Sequence, residues 1–135
     1  MTLSDSLRSF LDEVMPAIVG TNRSDGSVQM NPIWYERRGD EIWLNAASSR
    51  AWGRRLRTGT PVTLLFVDPA NQYRWAQVQG EVLEKTGNGG AAHIDRLSQR
   101  YFGRPYGQHD PADPRLVVRV RPIRVTGTFR QEAAA

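Results

Sequence analysis

The chain is predicted to fold as a mainly β domain with flanking helices, in which six antiparallel strands can curl into a small barrel. Three observations predict this. Apolar and polar residues alternate with period two through most of the segments long enough to be strands. Consecutive strands are joined by turns too short for a crossover helix, Ser24-Asp25-Gly26-Ser27 and Arg38-Gly39-Asp40. A length of 135 residues fits one domain and leaves little room for a second.

Each element follows from local chemistry. Leu3 to Val14 reads as an amphipathic helix, with Ser4 as its cap, Leu7, Phe10, Leu11 and Val14 on one stripe, and Pro16 as its end. Ala17 to Arg23 is a strand, Gly26 supplies the positive φ of a hairpin turn, and Val28 to Tyr35 returns. Pro32 marks that return strand as an edge or a bulge. Glu41 to Ala46 is the third strand. Ser48 to Thr58 reads as a helix capped by Ser48 or Ser49 and closed by Gly59. Pro61 to Asp68 is β-branched, and Tyr73 to Lys85 is a long alternating strand. Gly87-Asn88-Gly89-Gly90 breaks the chain and is a turn rather than a dinucleotide fingerprint. Ala91 to Tyr101 is a helix, and Gly103 to Pro114 a loop rich in Gly, Pro and Asp. Leu116 to Phe129 is a final pair of strand segments hinged at Pro122. Residues 1–130 therefore form one domain, and 131–135 a flexible tail.

Composition narrows the function. Hydrophobic residues at 39% and charged residues at 24% are globular values. With no cysteine, a disulfide framework, a thiolate metal site and a cysteine nucleophile are excluded. The start, Met1-Thr2-Leu3-Ser4-Asp5, lacks the features of a signal peptide, and a cytoplasmic location is expected. A net charge of +4 favours anionic partners: nucleic acid, anionic lipid or a phosphorylated small molecule. His93 and His109 have no ligand-like spacing, so no metal site is expected. No nucleophile–base pair stands out, so an enzyme here would need a cofactor to supply the chemistry.

Three segments can carry that chemistry. Asn45-Ala46-Ala47-Ser48-Ser49-Arg50-Ala51-Trp52-Gly53-Arg54-Arg55-Leu56-Arg57 holds four arginines, and no acidic residue falls between Glu41 and Asp68. A helix start and permanently charged guanidinium groups at Arg50 and Arg54 suit a phosphate. The same pattern also describes a solvated basic helix, or one paired with carboxylates elsewhere. In Met30-Asn31-Pro32-Ile33-Trp34-Tyr35, one face must be core and the other could lie beside a flat ring, with Asn31 bonding its heteroatoms. Aromatic packing in the barrel is the competing reading. In Tyr73 to Val82, Ala76, Val78 and Val82 form an apolar face. Tyr73, Trp75, Gln77, Gln79 and Glu81 form a polar and aromatic face open to a partner, a ligand or water.

The residues resemble the split β-barrel superfamily of pyridoxamine 5'-phosphate oxidase-like flavin and deazaflavin proteins, closest to small actinobacterial coenzyme F420-dependent reductases. The resemblance rests on the Asp25-Gly26 hairpin, the NPIWYE strand, EIWLNAASSRAWGRRLRTGTPVTLLFVD, QVQGEVLE, RLSQRYFG and RVRPIRV, in that order. It implies a six-stranded antiparallel FMN-binding split barrel and a homodimer with cofactor grooves at the subunit interface. It implies a ring against Asn31 to Trp34 and a phosphate near Arg50, Arg54 and Arg55. The cofactor residues so implied are Asn31, Pro32, Trp34, Asn45, Ala46, Ser48, Ser49, Arg50, Ala51, Trp52, Arg54, Arg55 and Gln77. One departure stands out: similar proteins commonly carry a phosphate-contacting lysine where this chain has Trp52.

The expected function is hydride transfer from reduced F420, or alternatively FMN, to a small electron-poor organic substrate. Tyr35 and Tyr106 are the candidate proton donors. A carrier or sensor of FMN, F420 or heme on the same fold, without rapid turnover, is the alternative. A single-stranded nucleic-acid binder ranks below both, because the basic residues cluster at one helix rather than along the strands.

Overall fold

The computed structural model describes residues 1–130 and places three helices around a seven-stranded antiparallel sheet. The 131–135 tail lies outside the described residues. The elements are α1 (Asp5–Asp12), β1 (Ala17–Asn22), β2 (Val28–Ile33), β3 (Tyr35–Arg38), β4 (Glu41–Ala47), α2 (Ala51–Arg54), β5 (Pro61–Asp68), β6 (Asn71–Thr86), α3 (Gly90–Phe102) and β7 (Arg115–Gly127).

The sheet order is β2-β1-β5-β6-β7-β4-β3. Its two edge strands, β2 and β3, are consecutive in the chain and separated only by Trp34. A sheet whose opposite edges are joined by one residue must curl back on itself, and this makes it a barrel split at one seam. Six strands were expected and seven are found, for a local reason. The segment read as one strand, Val28 to Tyr35, changes partner at Trp34. Ile33 pairs with Ala17 of β1, and Tyr35 with Leu44 of β4.

Alternation fills the barrel. Val62, Leu64 and Phe66 of β5 and Ala76, Val78 and Val82 of β6 point inward, as their spacing predicts. The α1 helix plugs one end with Leu7, Phe10 and Leu11, each contributing roughly 1.5–3 kcal/mol by leaving water. Ser4 caps it, accepting from Leu7 N at 3.2 Å. The helix is shorter than expected: Glu13 turns extended after Asp12, so Val14 leaves the stripe and is exposed.

Two further differences concern β7 and α2. The final segments form one strand rather than two, because the step at Pro122 is absorbed as a bulge. Gln79 pairs with Arg124 but Gly80 with Pro122, and Gly80 has no room for a Cβ, which would lie 2.6 Å from the Arg121 carbonyl oxygen. The helix expected from Ser48 to Thr58 is a single turn, Ala51–Arg54, with Arg50 at its N-cap and no side-chain capping bond. No helix among the described residues is long and apolar enough to cross a membrane.

Candidate functional site

Where the seam opens, the chain leaves a groove. One part, of about 710 Å³, lies between β2, the Ala47–Trp52 segment and the 103–114 loop. It continues into a second part of about 500 Å³ that runs along Asn31 to Trp34 and under α3. Asn31, Ala47, Arg50, Trp52, Tyr106 and Arg115 border both.

The two ends differ in chemistry. The seam end has an apolar wall of Pro32, Ile33, Trp34, Ala46 and Ile94, set beside the polar Asn31 and Asn45. Trp34 is pinned there. It stacks on Tyr101 with centroids 5.1 Å apart and planes at 10°, and Phe102 meets it edge-on. Tyr101 is in turn held by its hydroxyl, which donates to the Met15 carbonyl at 2.6 Å. The loop end carries charge of both signs, lined by Arg50 and Arg115 and also by Asp110 and Asp113. Arg50 is exposed there, and Arg115 projects from the first residue of β7, its guanidinium 4.8 Å over the Tyr106 ring and its Nη2 donating to the Tyr106 hydroxyl.

Beneath the groove lies a buried polar network. Asn45 Nδ2 donates to the Gly90 carbonyl and approaches His93 Nδ1, both at 3.1 Å. Because the carbonyl can only accept, Nδ2 is the atom facing it, His93 Nδ1 accepts, and the imidazole proton sits on Nε2. Nε2 lies 3.1 Å from Glu36 Oε1, close in distance but poorly aligned. Arg96 Nη2 reaches the same carboxylate at 2.8 Å. Burial pushes the Glu36 carboxyl up, but the His93 and Arg96 contacts outweigh it and hold it down at about 2. Asn31 Oδ1 and Asn45 Oδ1 are buried without a hydrogen-bond partner, on residues that line the groove. Two orphaned acceptors suit a ligand that brings N–H donors.

The structure gathers most of the residues singled out from sequence. Asn31, Pro32, Trp34, Asn45, Ala46, Ser49, Arg50, Ala51, Trp52 and Tyr106 all line the groove. Trp52 does so with little exposure, since it belongs to the core cluster. Ser48 is beside it, its hydroxyl donating to Asp113 Oδ1 at 2.8 Å.

Four residues fall elsewhere. Arg54 is exposed and lines no part of the groove. Arg55 turns toward the barrel, where Nη1 donates to Thr21 Oγ1 at 3.4 Å and to Gln29 Oε1. Gln77 lies in a separate hollow of about 280 Å³ with Ile18, Val28, Met30 and Leu65. Tyr35 is fully buried, and its hydroxyl donates to the Leu11 carbonyl at 2.8 Å; burial pushes its pKa up. Because α2 is one turn, no extended helix dipole favours an anion, and charge there rests on side chains. Sequence reasoning missed Arg115, Ile94 and Asp113. Arg115 follows Asp113-Pro114 at a strand start, a position from which the facing direction of a side chain is not legible. Among the described residues, no three His, Asp or Glu side chains come together as a metal site would require.

Comparison with known proteins agrees with this architecture. Residues 3–129 match the family model described as pyridoxamine 5'-phosphate oxidase. An F420 reductase from Mycobacterium smegmatis is 26% identical, with a TM-score of 0.79, covering 92% of this chain and 98% of its own. A FAD and heme binding protein from the same organism is 21% identical, with a TM-score of 0.63, covering 90% of this chain and 67% of its own. HupZ from Group A Streptococcus is 14% identical, with a TM-score of 0.68, covering 98% and 99%. These last two likenesses concern the fold. No curated protein matches the chain by sequence.

Proposed function

The chain belongs to the pyridoxamine 5'-phosphate oxidase family, and from that premise we propose that it is an oxidoreductase working with a phosphate-bearing deazaflavin or flavin. Coenzyme F420 is the first assignment and FMN the second, with a small electron-poor organic molecule as hydride acceptor. The observation that carries this reading is the lining of the groove: an apolar wall fixed by the pinned Trp34, with Arg50 and Arg115 bordering both of its parts. A planar ring with an anionic tail suits an apolar wall with arginines beside it. The likeness to an F420 reductase along nearly the whole of both chains favours the deazaflavin over FMN.

When bound, the cofactor ring supplies the hydride. The chain's own residues would bind and orient. Arg50 and Arg115 would hold phosphate through charge-assisted hydrogen bonds. Pro32, Trp34, Ala46 and Ala47 would set the plane of the ring, and the amide oxygens of Asn31 and Asn45 would accept from its N–H edge. Tyr106 takes the proton-donor role: its Oη accepts from Arg115, which leaves the hydroxyl proton for another acceptor. Buried Tyr35 has no path to the groove.

A homodimer in the cytoplasm is part of the proposal. The outward face bearing Ile18, Val28, Met30 and Leu65 is apolar, and Val28 and Met30 are exposed on an edge strand beside the groove. The test is a fluorescence titration with F420 and FMN in parallel. Saturable binding of one F420 per chain, with weaker FMN, supports the assignment. The reverse order moves the chain to FMN, and binding without substrate-dependent oxidation makes it a carrier. Binding of neither sinks the cofactor reading.

A further inference from the structure

The loop end of the groove, beside Arg50 and Arg115, already holds an anion at its serines, and it is the chain's own. Asp113 reaches from the 103–114 loop to the turn before α2. Its Oδ1 accepts from Ser48 Oγ and from Ser49 N, both at 2.8 Å, and its Oδ2 accepts from Ser49 Oγ at 2.7 Å. These donors hold the Asp113 carboxyl below the usual carboxylate range, so it is ionised at neutral pH. Ser49, Arg50, Asp113 and Arg115 line the same groove.

We propose that Ser48 and Ser49 form an oxyanion cradle that Asp113 fills in the free protein, and that a ligand phosphate takes the cradle by turning Asp113 out. The inference rests on the reading of the groove as a phosphate site, and adds to it a built-in competitor. Charge decides the exchange. Asp113 takes its hydrogen bonds from neutral donors and feels Arg115 only through space, with no salt bridge to a cation among the described residues. A phosphate carries more charge and can engage Arg50 and Arg115 while using the same hydroxyls, and charge-assisted bonds are the stronger kind.

The backbone does not have to move. Ser48 N donates to the Pro114 carbonyl at 2.9 Å and Asp113 N to that of Asp110 at 3.0 Å, so a side-chain rotation clears the cradle. That rotation removes one of the two carboxylates that fasten the loop. The other, Asp95, accepts from Tyr106 N at 3.0 Å and lies 3.1 Å from His109 Nε2.

The experiment uses inorganic phosphate and the full isotope-labelled chain, at ionic strength fixed with chloride. Backbone NMR follows the Ser49 amide in wild type and in Asp113→Asn, which keeps the shape and removes the charge. About tenfold tighter phosphate binding by the variant is expected, and equal or weaker binding overturns the proposal. In the unsubstituted chain, the Asp113 carboxyl carbon signal must shift with the same midpoint as the Ser49 amide. A stationary Asp113 signal overturns it whether or not the variant folds. F420 and FMN titrations report separately on function. If a cofactor binds and phosphate affinity ignores Asp113→Asn, the competitor fails and the cofactor reading stands. If phosphate displaces Asp113 and neither cofactor binds, the competitor stands and the cofactor reading fails.

Discussion

At the scale of single residues, the arginines separate what sequence could tell from what it could not. Four of them cluster around one turn and invite a common role, yet backbone geometry sends them in different directions. Arg50 faces the groove, Arg54 faces solvent, and Arg55 is bonded to Thr21 and Gln29. The second groove cation, Arg115, lies 65 residues beyond Arg50 in the chain and is brought there by the pairing of Ala47 with Arg115. This divides the expected effects of alanine substitution. Arg50→Ala and Arg115→Ala should each weaken binding of a phosphate-bearing cofactor about tenfold, the low end for a charge-assisted bond at a partly exposed site. Riboflavin, which has no phosphate, should bind each variant as it binds wild type. Arg54→Ala should change neither, and Arg55→Ala should lower stability instead. Equal losses for Arg50→Ala and Arg54→Ala would return the phosphate to the α2 surface that sequence suggested. Trp52 illustrates the same limit: as a residue type it could line a ring pocket or pack in the core, and the structure has it doing both.

At the scale of elements, the long alternating strands were legible and the short helix was not. Pro61–Asp68 and the inward face of β6 follow from period two alone. The α2 segment has helix-forming residues, but Ser48 and Ser49 spend their hydroxyls on Asp113 rather than on a cap, and only one turn forms. By contrast α3 starts as its glycines require. Gly89 has φ of +75° at the N-cap, and a Cβ on Gly90 would lie 1.9 Å from the Arg115 carbonyl oxygen. Gly90→Ala should therefore push α3 off β7 and cost about 3 kcal/mol in chemical denaturation, the upper range for overpacking. Glu36 ties the same helix to β3. Its carboxyl is near 2 when folded, below its ordinary value of 4.5, so the folded state binds fewer protons than the unfolded one as pH falls. The stabilisation is complete above about pH 4.5 and is lost between there and pH 2, amounting to about 3 kcal/mol for a mostly buried carboxylate. Denaturation midpoints measured across that window should fall steeply for wild type and more shallowly for Glu36→Gln. Parallel slopes would mean that the helix is held by packing alone.

At the scale of the whole molecule, sequence predicted the antiparallel barrel but not how it closes. Nothing in Asn31-Pro32-Ile33-Trp34-Tyr35 marks the residue at which a strand leaves one edge of the sheet for the other, because each half has good strand chemistry and the choice of partner is long-range. That crossing opens the groove on one side of β2, and on the other side it leaves an unpaired edge bearing exposed Val28 and Met30. Edges of this kind are normally blunted by charge or covered by another chain. Here the adjoining hollow is lined by Ile18, Val28, Met30, Pro61, Val62 and Leu65, with no charged residue. A second copy is the cover we propose, and it would also complete the wall of the cofactor groove. The free protein should sediment at twice the chain's mass. Met30→Asp should bring it to the monomer mass, since a carboxylate buried between two apolar faces has no partner there. Met30 makes no contribution to the core cluster, so the variant should keep its fold and its denaturation midpoint. If the grooves lie between subunits, the monomeric variant should also lose cofactor affinity at protein concentrations where wild type is dimeric. A monomer with full affinity would confine the cofactor to the groove of one chain, and a Met30→Asp dimer would mean that the subunits meet on another face.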